Sequence, residues 1–159
     1  MTGPRLINPE TLGAWVIKCQ PKVNPGVTTA ILDRDLEPIT RFCVADNYRS
    51  RMMAADDPAI LWISGDGRQL ARGIWGLGRV TGPIRAILGE VASWDVGKLE
   101  VPLHVELLAD GVSVEAIRAA GVGDLEVLVQ PQASNPSWVS RDQLAALSGL
   151  LDWPTTSPS

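Results

Sequence analysis

Cysteine, histidine and single-ring aromatics are all scarce in this chain of 159 residues, which has two Cys, one His, one Tyr and one Phe. With His104 alone and Cys19 and Cys43 far apart, no ligand cluster of the kind a zinc site needs can be read, so no metal is expected. Two isolated cysteines suit buried thiols in a reducing compartment. Long apolar runs are missing as well. No stretch reaches the ~18–20 residues of a membrane span, and the Met-Thr-Gly-Pro-Arg start lacks a secretory pattern. A cytoplasmic protein without a membrane partner is therefore expected. There is no P-loop, and Gly76-Leu77-Gly78-Arg79-Val80-Thr81 lacks both the third glycine and the strand-to-helix setting of a dinucleotide fingerprint. No cofactor is expected. Catalytic groupings are equally thin, since His104 sits beside Glu106 on the solvent side of an alternating strand with no nucleophile at a suggestive spacing.

An excess of positive charge is also lacking. The net charge of −4 argues against an indiscriminate nucleic-acid binder, which would carry a broad basic surface. The balance is uneven, however: residues 1–85 hold 11 Lys/Arg against 8 Asp/Glu, and residues 86–159 hold 3 against 10. Any anion-facing surface belongs to the first half.

What the chain does have is 45% apolar content, enough for one core, and a single domain spanning 1–159 is expected. Its ordered part runs over about 14–151, with an arm at Met1–Thr11 and a tail at Pro154–Ser159. Ala14–Cys19 reads as a buried strand that stops at Pro21 and the Asn24-Pro25-Gly26 turn. Residues 27–38 favour neither helix nor strand. A strand is expected at Ile39–Val44, with Ile39, Arg41 and Val44 set against Thr40 and Phe42. Asp46 or Asn47 caps a helix over Tyr48–Ala55, stopped by Asp56-Asp57-Pro58. Ala59–Ser64 and Arg72–Thr81 then pair across Gly65-Asp66-Gly67 as a hairpin. In the second of these strands Ile74, Gly76, Gly78 and Val80 share one face, and Gly73, Trp75, Leu77 and Arg79 the other. Strand glycines suit strong curvature or close backbone approach.

Val101–Leu107 alternates cleanly, Ser113 caps a helix to Ala120, and Leu125–Val129 reads as a strand. Gln130–Trp138 reads as a loop, and Ser140-Arg141-Asp142-Gln143 is a capping box before a helix carrying Leu144, Leu147 and Leu151. This order lacks regular β-α-β alternation. It implies a mixed α/β domain of the α+β kind, built on a small curved β-barrel flanked by short helices.

Six of the eight aromatic residues are tryptophan, at 15, 62, 75, 94, 138 and 153. Each either packs the core or forms one wall of a slot for a flat ring, because an indole N–H needs a partner wherever it is buried. Lys18, after three apolar strand residues, must carry its ammonium to water, a carboxylate or a ligand. Arg49 and Arg51 stand near a helix start, where exposed N–H groups and cationic side chains suit phosphate, or else form a solvated face.

Four motifs stand in chain order: Trp15-Val16-Ile17-Lys18-Cys19-Gln20-Pro21, Val44-Ala45-Asp46-Asn47-Tyr48-Arg49-Ser50-Arg51, Leu61-Trp62-Ile63-Ser64 and Gly73-Ile74-Trp75-Gly76-Leu77-Gly78-Arg79-Val80. Together they resemble the EVE domain family of the PUA-like superfamily. Ser134-Asn135-Pro136 is a softer fifth match. Departures are Cys19 where the family has serine, one extra residue before Asn47, Ser50 for alanine, and Asp56-Asp57-Pro58 for a Gly-Asp turn. The resemblance implies a PUA-like barrel whose pocket accepts a modified or flipped-out base of DNA or RNA. By carry-over that pocket comprises Trp15, Lys18, Cys19, Asn47, Tyr48, Trp62 and Ser64, with Arg49 and Arg51 on the flanking phosphates. The expected function is noncatalytic base recognition. Two alternatives stand beside it: a small PUA-like hydrolase of modified nucleosides, with Lys18 as general base and Asp46 as its candidate carboxylate, and a protein-interaction module using the tryptophan surface.

Overall fold

The computed structural model describes residues 7–21, 25–64, 68, 70–133 and 135–153, without the side chains of Pro25 and Trp94. The expected turn at Gly65-Asp66-Gly67, most of the N-terminal arm and the tail from Pro154 lie outside the described residues. Six strands form one sheet: β1 (Leu12–Cys19), β2 (Ile39–Val44), β3 (Pro58–Ile63), β4 (Gly73–Val80), β5 (Leu99–Ser113) and β6 (Ser137–Ser140). Their order is β2-β5-β4-β3-β1-β6. Only β1 and β3 run parallel; the other neighbours are antiparallel. Among the described residues the α-helices are five and short: α1 (Pro25–Leu32), α2 (Tyr48–Met52), α3 (Val114–Ala119), α4 (Glu126–Val129) and α5 (Arg141–Leu147). The mixed α+β architecture expected from the sequence is the one observed. The sheet is not closed into a barrel, because β2 and β6 end it and no ladder joins them among the described residues.

The central strands explain themselves. β1 and β3 are nearly continuous apolar runs, as strands covered on both faces must be. Alternation along them sorts side chains into two cores. One face gathers Trp15, Ile17, Cys19, Leu61, Ile63, Phe42, Val44, Val101, Leu103, Val105 and Trp138. The other gathers Ala14, Val16, Ile60, Trp62, Ile74 and Leu77 under Ile117 of α3, Val127 of α4 and Leu147 of α5. Ser113 and Ser140 cap α3 and α5 through the N–H groups of Ala116 and Gln143, and the Gln143 side chain completes the expected capping box.

Where expectation and structure differ, tertiary contacts decide. Leu125–Val129 is helical: with Leu125 and Val127 packed in the second core, the N–H groups of Leu128 and Val129 return to Leu125 O at 2.9 and 3.0 Å. The expected loop Gln130–Trp138 ends early, because Ser137-Trp138-Val139-Ser140 pairs with β1 as an edge strand. Pro25-Gly26, expected in a turn, open helix α1, which continues through residues 27–32 of the stretch that favours neither helix nor strand. Helix α2 stops at Met52, since Met53 turns inward and is buried. In β4 the expected two-face pattern breaks at Trp75, where the register shifts against both β3 and β5. Ile74 and Leu77 therefore share the second core, while Trp75 and Val80 meet the first. The Trp75 ring lies over Gly111, where an added Cβ would stand 2.4 Å from the indole, so only glycine fits there.

Candidate functional site

Strand parity governs the two tryptophans expected to flank one cavity. Trp15 pairs with Ala59 and Lys18 with Trp62, so Trp15 faces the first core and Trp62 the second, each all but inaccessible to solvent. Neither ring face is open to a ligand. Trp15 Nε1 donates to Asp57 Oδ2 at 2.9 Å, which satisfies the indole in the interior. Cys19 is likewise fully buried, and burial pushes its thiol up to about 12.

A cavity of about 370 Å³ does open where β1, β2 and β3 end, and Lys18 and Ser64 line it. Its other walls include Phe42, Cys43, Asp95, Lys98 and Asn135. Ser64 is fixed by two bonds to one acceptor, since its N–H and its Oγ both donate to Cys19 O, at 2.9 and 3.2 Å. Lys18 is held more elaborately. Its N–H donates to Asn135 Oδ1 and its carbonyl accepts from Asn135 Nδ2, both at 3.0 Å. Its ammonium donates to Ala133 O, with Pro131 O at 3.4 Å. Two of its three donors thus hold the loop that forms one wall, leaving capacity for a single further acceptor. Burial lowers the Lys18 pKa below the ordinary lysine value; the Glu126 charge opposes that shift and the Arg49 charge adds to it. Lys98 Nζ stands 3.2 Å from Asp95 Oδ1, placing a donor and an acceptor side by side on the opposite wall.

Helix α2 begins with Asn47, whose Oδ1 accepts from Ser50 N–H at 3.0 Å while Ser50 Oγ accepts from Asn47 N–H at 3.2 Å. Asn47 is therefore engaged in capping α2. Tyr48, next in the chain, is 59% exposed. Arg49 turns inward: its guanidinium forms a two-pronged pair with Glu126, Nη2 to Oε2 at 2.9 Å, and Ser137 Oγ donates to the same carboxylate at 2.8 Å. Burial alone would raise the Glu126 pKa, but hydrogen bonds from Arg49 and Ser137, with the charges of Arg49 and Lys18, hold it below the usual carboxylate value. Arg49 is thus engaged in joining α2 to α4. Arg51 faces solvent and pairs with Asp46 at 2.7 Å, so Asp46 stands with Arg51 and not with Lys18. Among the described residues, no three His, Cys, Asp or Glu gather as a metal site.

The structure therefore brings Lys18 and Ser64 together and sets Trp15, Cys19 and Trp62 in the cores, with Asn47 at a helix cap. Sequence reasoning missed Phe42, Asp95, Lys98 and the role of Asn135. The expected opposition of Phe42 to Val44 fails because residues two apart in a strand share a face, and the register slip between Ile39 and Arg41 brings Ile39 to that side with them. The Asp95/Lys98 spacing of three is a readable signal, whereas the role of Asn135 depends on partners far away in the chain.

No family model and no curated protein matches the sequence. Solved structures do. Protein PSPTO5229 from Pseudomonas syringae aligns with TM-score 0.60 and 14% identity over 86% of this chain and 98% of its own. Rpa0253 from Rhodopseudomonas palustris aligns with TM-score 0.55 and 15% identity over 89% and 96%. Human THYN1, solved in complex with 5-methylcytosine-containing DNA, aligns with TM-score 0.54 and 15% identity over 87% and 98%. At such identities the likeness is one of fold, and the chain shares the mixed α+β fold of these structures.

Proposed function

We propose that this chain is a noncatalytic DNA-binding module of the EVE type, which takes a modified base, flipped out of its stack, into the cavity bounded by Lys18, Ser64 and Asn135. The observation that carries this reading is the cavity itself, in a chain sharing its fold with a protein solved on 5-methylcytosine-containing DNA. Its volume of about 370 Å³ falls within the range of small-molecule sites. Extruding a base costs a few kcal/mol. Contact with an aromatic ring returns about 1–3 kcal/mol per base, and Phe42, itself largely buried in the first core, is the aromatic residue among those lining the cavity. Ser64 and the Asp95/Lys98 pair supply polar partners for the base edge. Arg51, exposed beside the start of α2, serves a flanking phosphate, and Tyr48 offers an exposed ring next to it.

Fluorescence anisotropy with labelled oligonucleotides that differ only in one 5-methylcytosine, single- and double-stranded, tests this. The wild type is expected to prefer the methylated strand, and Phe42→Ala to lose that preference. Arg51→Ala should weaken all sequences alike and reduce the salt slope by about 1. Identical affinities for methylated and unmethylated oligonucleotides in the wild type would refute the reading.

A further inference from the structure

Asn135 occupies a singular place in the pairing scheme. In β6 the register against β1 runs Ala14↔Val139, Trp15↔Trp138, Val16↔Ser137. Continued by two residues, it sets Asn135 opposite Lys18. The ladder ends before that point, and the Asn135 main chain is engaged elsewhere: its carbonyl accepts from Ala45 N–H at 2.9 Å, just beyond the end of β2. Its side chain supplies what a strand would have supplied. Oδ1 accepts the Lys18 N–H and Nδ2 donates to the Lys18 carbonyl, each at 3.0 Å. An amide carries one acceptor and one donor group with the spacing of a peptide unit, so it can replace both ladder bonds at once. The two edges of an open sheet, β2 and the extension of β6, are thus joined through one residue.

Lys18, Ala45 and Asn135 all line the 370 Å³ cavity, so this junction is also part of its wall. The Lys18 ammonium fastens the same loop from the other side, at Ala133 and Pro131. We propose that Asn135 is a positioning residue for base discrimination: by clasping the sheet edges it fixes the separation of the cavity walls, and with it the fit of a modified base against an unmodified one. This rests on the base-reader reading above and adds to it the residue that sets selectivity. Asparagine suits the role because its side chain is both donor and acceptor. Aspartate keeps the size and the bond to Lys18 N–H, yet offers only acceptors to the Lys18 carbonyl.

The decisive experiment compares wild type, Asn135→Asp and Asn135→Ala in three readouts. These are affinity for DNA with 5-methylcytosine and with cytosine at one site, amide hydrogen exchange, and thermal melting. Leu147→Ala, in the core under α5 and away from the cavity, serves as a destabilised control. The expected result is a fall of at least fivefold in the ratio of the two affinities for both Asn135 variants. Exchange at Lys18 should be at least tenfold faster in Asn135→Ala, which loses the acceptor of its N–H, while Leu147→Ala melts earlier with its ratio unchanged. A merely structural role would lower the melting temperature and leave the ratio intact, and that outcome overturns the proposal while the reader reading stands. Wild-type protein that binds neither DNA refutes both.

Discussion

Replacing Arg49 by methionine separates the two roles its position allows, ligand of a phosphate or partner in an internal ion pair. In the structure the guanidinium grips Glu126 with two prongs, the two side chains are each only 16% exposed, and Ser137 Oγ donates to the same carboxylate. Removing one partner from a buried pair costs roughly 3–5 kcal/mol, because the other charge stays behind without compensation. Here the residual exposure and the nearby Lys18 charge soften that figure. We therefore expect a loss of about 2–3 kcal/mol at pH 7, or a fall in Tm on the order of 4–12 °C for a chain of this size. The pH dependence is more diagnostic. In the wild type the Glu126 pKa is depressed in the folded state, so the pair contributes stability present above the unfolded carboxylate value and lost as pH falls through the lower folded value. Without Arg49, burial dominates and raises the pKa. Protonation then relieves the buried charge, so the deficit of Arg49→Met should narrow between pH 7 and pH 5. Melting followed by circular dichroism at both pH values measures this. A deficit below about 0.5 kcal/mol at pH 7, or one that stays constant down to pH 5, would refute the ion-pair reasoning and return Arg49 to the candidate phosphate ligands.

The two buried tryptophans should respond differently. Trp62→Ala empties a site in the second core and is expected to cost about 3–5 kcal/mol, whereas Trp15→Phe forfeits mainly the bond to Asp57, about 1 kcal/mol; denaturant titrations distinguish the two, and equal losses would contradict their placement. Native-state alkylation at pH 8, read by mass spectrometry, should label half-buried Cys43 first and spare Cys19, whose thiol is pushed up to about 12; the opposite order would refute the burial of Cys19. Gly78→Ala would drive a Cβ to 1.8 Å from His104 O between β4 and β5. We expect destabilisation on the order of 3 kcal/mol or more, seen as loss of soluble protein, and wild-type yield and Tm would show that the ladder gives way easily.

Local chemistry wrote much of this fold plainly into the sequence. The Ser140/Gln143 capping box, the Ser113 cap and the apolar runs of β1 and β3 each depend on neighbours a few residues away, and each was legible for that reason. Elements that depend on distant partners were not. β6 is only Ser-Trp-Val-Ser, and β1 beside it is what makes it a strand; Leu125–Val129 has the composition of a strand, and packing under the sheet makes it a helix. The candidate site suffered most from the same cause. The motifs imply one pocket for Trp15, Lys18, Trp62 and Ser64, but a parallel pairing of Trp15 with Ala59 sends the two tryptophans to opposite faces and, of the four, leaves Lys18 and Ser64 at the opening. The clasp at Asn135 is the extreme case, because its meaning depends on the register of β6 against β1 and on the approach of β2 at once. An asparagine before a proline reads as a turn residue from either side along the chain. Only where both sheet edges converge on it does its amide take the place of a strand.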